Sequence, residues 1–193
     1  ENSFTNNGKV HVGGTLDLNA GSYMINSNTV DVPRTGAINM NGISFLIQQS
    51  GHLGIDGGKV NFGGTGLLNN NGGISLGDGG TLDLSGGTLN LGSTGILKIN
   101  DGSLNLNGGS LTISGNLNAQ RSATIKIGSG SFTIQQGGSV HLGNNGLLAI
   151  NDGNFVLNGG TLTLSGNTQE TIGGDSTIAI SGNTKETVKG DST

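Results

Sequence analysis

The chain has 193 residues, eight basic and twelve acidic, for a formal net charge of −4, with three histidines and no cysteine. Glycine supplies 40 residues, about three times the usual share, but Pro33 is the one proline and there is no Gly-X-Y period, which excludes collagen. The absence of a basic stripe, with aromatics at 3%, excludes a nucleic-acid platform. No apolar run reaches the roughly 18 residues of a membrane span, and without cysteine there are no disulfides and no thiolate chemistry. Val, Ile and Leu recur evenly throughout, which excludes disorder. Scarce charge, abundant Asn and Gly and no Cys suit a secreted rod better than a cytosolic enzyme. The chain does not begin with Met and shows no signal peptide, as expected of a mature or cut-down form.

In chain order, short phrases of two apolar residues flanking one other residue recur, each followed by a turn: KVHVGG, TLDLNAG, KVNFGG, TLDLSGG, TLNLGS, SLNLNGG, SLTISGN and TLTLSGN. The second apolar residue marks each rung. The markers are Val12, Leu18, Ile25, Val32, Met40, Ile47, Ile55 and Phe62, then Leu76, Leu84, Leu91, Ile99, Leu106 and Ile113. Ile127, Ile134, Leu142, Ile150, Leu157, Leu164, Ile172, Ile180 and Val188 continue them. Asn69 and Gln120 fill the two vacant rungs, predicting a local bulge, a loop or an internal amide hydrogen bond at each. Period-two alternation turns both apolar residues of a phrase to one side. Gly, Asn and Asp supply turns because they tolerate positive φ. Asparagine either serves such turns or stacks into amide ladders.

A strand with one or two inward side chains is unstable alone and must stack. Rungs of seven to eight residues predict an all-β fold: a parallel β-helix, or β-solenoid, forming a single elongated domain over residues 1–193. Helix is excluded, since the apolar spacing is wrong and each interior glycine costs about 0.8–1 kcal/mol. A larger repeat of about 51 residues starts near Lys9, Lys59, Ser110 and Thr161, and contains seven rungs. Seven is not a multiple of three, so in a triangular single-chain solenoid each copy would start on a different face. An intertwined triple-stranded β-helix trimer has no such mismatch.

From 164 to 193 the rungs become strict octads headed by Leu164, Ile172, Ile180 and Val188, with Gly166, Gly174, Gly182 and Gly190 at the third position. The segment ISGNTKETVKGDST resembles the octads of phage tail-spike and type VI secretion spike proteins, and that resemblance implies a triple-stranded needle. GTLTLSGNT, residues 160–168, resembles the strand repeat of bacterial autotransporter passengers, with SLTISGN at 110–116 a weaker copy. The aromatic that follows in that family is replaced by Gln169. This resemblance implies a single-chain β-solenoid on the cell surface, which is the architecture preferred here.

Residues with reactive side chains are dispersed. His11 and His141 stand between inward apolar residues and should face solvent, and His52 shares no phase with them. Asp78, Asp101 and Asp152 each adjoin glycine and read as turn formers, since the Gly-Gly-x-Gly-x-Asp spacing of calcium-binding β-rolls never occurs intact. The pattern predicts no catalytic, cofactor-binding or metal-binding residue and no cofactor. Thr161 and Thr163 form one threonine pair, but most rungs put Asp, Asn, His or Lys at the middle position, so no regular ice-binding threonine face is expected.

The expected function is a non-enzymatic structural fibre. A stiff extracellular rod would form part of a surface filament or adhesin, and a trimeric phage tail spike or secretion-system needle shaft is the alternative. Its expected partners are itself, by end-to-end stacking or as a homotrimer, and a host or cell-surface receptor, without nucleic acid or membrane insertion. The sequence stops in mid-octad after VKGDST, predicting either that the natural chain continues past Thr193 or that an uncovered last rung stacks on another subunit. At about 4.8 Å per layer, three rungs per turn give a rod of roughly 40 Å, whereas one rung per layer gives about 120 Å.

Overall fold

The computed structural model describes residues 2–166, 168–173, 177–181 and 185–189. Three strands open the chain: β1 (Asn2–Asn6), β2 (Val10–His11) and β3 (Thr15–Leu18). The fourth, Ser22–Asn26, pairs in parallel with β1. This three-strand step persists to Lys185–Lys189, so that every strand lies on the one three places earlier. The result is a triangular single-chain solenoid of three parallel sheets, two with nine strands and one with eight among the described residues. The sheets containing β1, β2 and β3 are here faces I, II and III. Among the described residues, corners between strands are two to four residues long.

The core consists of two inward columns on each face. On face I, Met24, Phe45, Leu68, Leu89, Leu111, Phe132 and Phe155 stand in register and are all buried. Beside them run Asn26, Ile47, Asn70, Leu91, Ile113, Ile134 and Leu157. The columns of the three faces meet along the axis, where Phe45 stacks on Phe62 of face III at 6.4 Å. Each buried Val, Leu or Ile contributes roughly 1.5–3 kcal/mol, and because the columns are continuous each turn is covered by the next.

Most markers are inward and buried, from Val12 and Val32 to Leu164. Ile172, Ile180 and Val188 take the matching register positions opposite Ile150, Leu157 and Leu164. Three positions differ. In Ser22–Asn26 the inward residues are Met24 and Asn26, and Ile25 faces outward between Thr5 and Leu46. In Leu67–Asn70 they are Leu68 and Asn70, not Asn69. In Asn116–Gln120 they are Leu117 and Ala119, and Gln120 is half-buried at the strand end opposite Asn100. The strands at Asn69 and Gln120 are regular and in register, and both side chains face outward, so the expected bulge, loop or internal amide bond is absent at these two residues. Asn69 Oδ1 accepts from Asn90 Nδ2 on the surface at 3.1 Å.

The buried amides lie elsewhere. Asn70 Nδ2 donates to the Ile96 carbonyl at 3.1 Å, and Asn70 Oδ1 accepts from Gly72 N at 3.1 Å. Asn6 Nδ2 donates to Asn26 Oδ1 at 2.8 Å and Asn26 Nδ2 to the His52 carbonyl at 2.9 Å, a ladder inside the corner between faces I and II. A second ladder runs outside on face III, from Asn61 to Asn39 at 2.8 Å and from Asn39 to Asp17 at 2.7 Å.

The larger repeat rotates as its seven rungs require. Its copies are the strands containing Val10 on face II, Lys59–Gly63 on face III, Ser110–Ile113 on face I and Thr161–Ser165 on face II. The single chain accommodates this because all three faces offer two inward sites of similar size. Of the octad glycines, Gly166 has φ +71, and Gly174, Gly182 and Gly190 lie outside the described residues, as does the segment after Lys189 that bears on the last rung.

Glycine has two distinct uses. Asp78, Asp101 and Asp152 have φ of 52, 57 and 57, which makes them left-handed turn residues as expected, together with glycines such as Gly79. Just before a strand the requirement is close approach instead. A Cβ on Gly80 would collide with the Ile55 carbonyl oxygen one turn below, whereas Gly14 has open space. Gly80→Ala should therefore lower stability by about 1–3 kcal/mol, while Gly14→Ala stays within about 0.5 kcal/mol, both read by denaturant unfolding. Asn70→Leu should destabilise by about 1–3 kcal/mol despite adding apolar volume, because it orphans Gly72 N and removes the amide bond to the Ile96 carbonyl. Asn69→Leu should be near neutral in the same assay.

Candidate functional site

All three histidines fall on face II, since their strands belong to that sheet. His11 is exposed, whereas His52 and His141 are half-buried. His52 Nε2 lies 3.0 Å from Ser75 Oγ on the next turn, and His141 Nε2 lies 3.4 Å from Ser165 Oγ. On the turn before His52, Asp31 forms an ion pair with Lys9 at 2.9 Å. Asp31 Oδ1, His52 Nε2 and Ser75 Oγ converge on Gly54, each within 3.3–3.8 Å of where a Cβ would stand. A Cβ at position 54 would touch all three groups, tightly only at Asp31 Oδ1.

The composition is that of a hydrolytic triad, but the connectivity is different. A relay needs the carboxylate on the imidazole nitrogen that faces away from the hydroxyl. Here the carboxylate and hydroxyl share the Nε2 side, and Nδ1 lies over Gly73. The arrangement can exchange hydrogen bonds across the face. It does not orient the ring for proton abstraction from Ser75. Among the described residues no group of three or more His, Asp or Glu side chains is placed to hold a metal ion. Asp101 sits at a corner, 3.7 Å from Arg121, and accepts from Ser122 N at 3.2 Å.

Two acidic positions were not anticipated from the sequence. Glu170 is half-buried at the inward register position opposite Leu148, and Glu186 takes the register position opposite Leu162. The signal is present in QETI and KETV, where Glu stands two residues before a marker, at the place of the first apolar residue. At the other end, Phe4, Val10, Val12, Leu16 and Leu18 frame an open recess of about 380 Å³. These residues are in register with the inward positions of the following turn.

The three outer surfaces differ in charge. Face II carries Asp31, Asp56, Lys98 and the histidines within its strands, and face III carries Asp17, Lys59, Asp83 and Lys126. The nine strands of face I contain no charged residue and no histidine. On its outer side Thr88, Ser110 and Ser131 align in one rank, and Asn90, Thr112 and Thr133 in the other. This short hydroxyl array comes from phrases that the sequence scatters over 46 positions, from 88 to 133.

No protein-family model matches the chain, and no curated protein matches it. Among solved structures, it is similar to the crystal structure of a TibC-catalyzed hyper-glycosylated TibA55–350 fragment. The identity is 16%, covering 96% of this chain and 97% of that one, with a TM-score of 0.20. The two do not superpose as whole bodies at that score. No helix among the described residues is long and apolar enough to cross a membrane.

If the Asp31, His52 and Ser75 cluster only holds neighbouring turns together, its loss should have small effects. Asp31→Asn removes an ion pair whose lysine side chain is 69% exposed, so thermal unfolding should show a change below about 1 kcal/mol. Ser75→Ala should behave likewise.

Proposed function

We propose that the protein is a non-enzymatic structural shaft, an extracellular β-helical rod that forms part of a surface filament or adhesin. The observation that carries this reading is the combination of unbroken inward columns with corners of only two to four residues. Binding and catalytic sites are built mostly from loops held over a scaffold, and pockets need concave walls. This chain commits its residues to length and stiffness instead. Parallel strands stacked through backbone hydrogen bonds resist bending, and an unpaired strand edge is a template on which another turn can be laid. The partners that fit are further copies stacked end to end, and a receptor on a host or cell surface.

Small-angle scattering and electron microscopy test the reading. A chain of 19.2 kDa should give particles roughly 40 Å long that lengthen by whole units as concentration rises. Particles of fixed length at every concentration would contradict end-to-end assembly. Three-chain particles about 120 Å long would transfer the reading to the trimeric needle shaft. Polysaccharide cleavage abolished by Asp31→Asn would contradict the non-enzymatic role.

A further inference from the structure

We propose that face I is a self-docking surface on which two copies of the chain lie side by side and parallel, face I against face I. The first reason is electrostatic. The chain is net negative, so two copies repel, and faces II and III would bring charged side chains into any contact. Burying such groups is costly unless each finds a partner. Face I has none in nine strands, and the corners flanking it carry only Lys9 and Asp152 among the described residues. Within the strands, charge is thus confined to the two faces turned away from the contact.

The second reason is composition along the face. Its outward side begins with an apolar cluster: Tyr23 (38% exposed) with the half-buried Ile25, Leu46 and Leu67. These lie on three successive turns in straight register, Ile25 opposite Leu46 and Tyr23 and Leu67 flanking Ser44. The Ser, Thr and Asn ranks follow as far as Ser131 and Thr133, with the half-buried Val156 beyond them. In a parallel pair the apolar cluster meets its own copy and hydroxyls meet hydroxyls, which can donate and accept with one another. An antiparallel pair would set Leu46 against Thr133 and leave Ile25 alone to meet an apolar residue, Val156.

The third reason is size. Nine strands at about 4.8 Å, each about 15 Å wide, give on the order of 600 Å² per copy and 1,200 Å² per pair. That reaches the lower end of specific, stable interfaces. Aligned sheets pack about 10 Å apart, so side chains of this size interdigitate without moving the backbone.

The contact is lateral and goes beyond the end-to-end stacking of the shaft. Sedimentation equilibrium on the full chain separates the two. The wild type should form discrete dimers whose affinity changes little between low and high salt, because no charges face each other. Thr112→Lys and, separately, Leu46→Lys should each raise the dissociation constant at least about tenfold, since each lysine approaches its own copy across the dyad. Both substitutions are at outward positions, and circular dichroism checks that each variant is folded. Should one fail to fold, the other carries the test. Asn61→Lys on face III should leave the dimer unchanged. A wild type that is monomeric throughout would overturn the proposal, as would equal weakening by Asn61→Lys or association that dissolves in high salt. Monomers that retard ice growth would overturn it too and assign the hydroxyl ranks to water. End-to-end chains indifferent to the face I lysines would overturn it while leaving the shaft reading intact.

Discussion

The structure depends on how closely one turn can lie on the next at the corners. Consecutive turns stack at strand spacing only if the residue entering each strand has no side chain to strike the turn beneath. A Cβ would meet the Val12 carbonyl oxygen at Gly36, that of Asn26 at Gly51, that of Asn70 at Gly95 and that of Ile113 at Gly138. The same glycines carry the ladder around the bend, since the Gly80 carbonyl accepts from Ser103 N at 2.9 Å and the Gly95 carbonyl from Asn116 N at 3.0 Å. Steric room and hydrogen bonding therefore coincide at a glycine in most corners. At other corners Ile43, Ala123 and Thr168 occupy the equivalent place and are buried there. The glycine content that at first suggests low complexity follows largely from this close approach.

Once the corners close, the rest is constrained. Each side of the triangle holds two inward side chains, so the core is a set of columns rather than a centre, and stability accumulates turn by turn. Columns of similar volume make the three faces interchangeable, which is why a seven-rung duplication can advance by one face per copy without disturbing the core. Half-buried core positions fall at the ends of the described region. Leu18 is only half-buried on the first turn, and Glu170 takes a core register position near the other end. Inside the shaft, polar core residues such as Asn70 are tolerated because corner backbone groups satisfy both ends of the amide.

Much of this was legible in the sequence. Apolar residues two apart followed by Gly, Asn or Asp are enough to deduce parallel rungs, their spacing and most of the inward set. Ile25, Asn69 and Gln120 were misphased for one physical reason. In SYMIN, LLNN and NLNAQ a small or polar residue occupies an inward site while an apolar neighbour faces out or the strand ends one residue later, so hydrophobicity alone selects the wrong member of the pair. Glycine was read as a source of positive φ, which holds at Gly79 and Gly64, but the crowding at Gly80 requires a neighbour 25 residues away and is invisible locally. The division of charge among the faces is hidden for a similar reason. Asp17, Asn39 and Asn61 join only when every third rung is brought together. The convergence of Asp31, His52 and Ser75 also requires that step.

The central claim is that one chain closes a turn every three rungs, and a disulfide scan tests it most directly because the protein has no cysteine of its own. Ser110 and Ser131 are register partners on face I, as are Thr112 and Thr133. Adjacent parallel strands lie about 4.8 Å apart, within reach of a disulfide. The double variants Ser110→Cys with Ser131→Cys, and Thr112→Cys with Thr133→Cys, should oxidise within a single chain and migrate as closed monomers on a denaturing gel. In a one-rung-per-layer trimer the same residues stand three layers apart, about 14 Å. Failure of both pairs to close within one chain, or closure only between chains, would contradict the account.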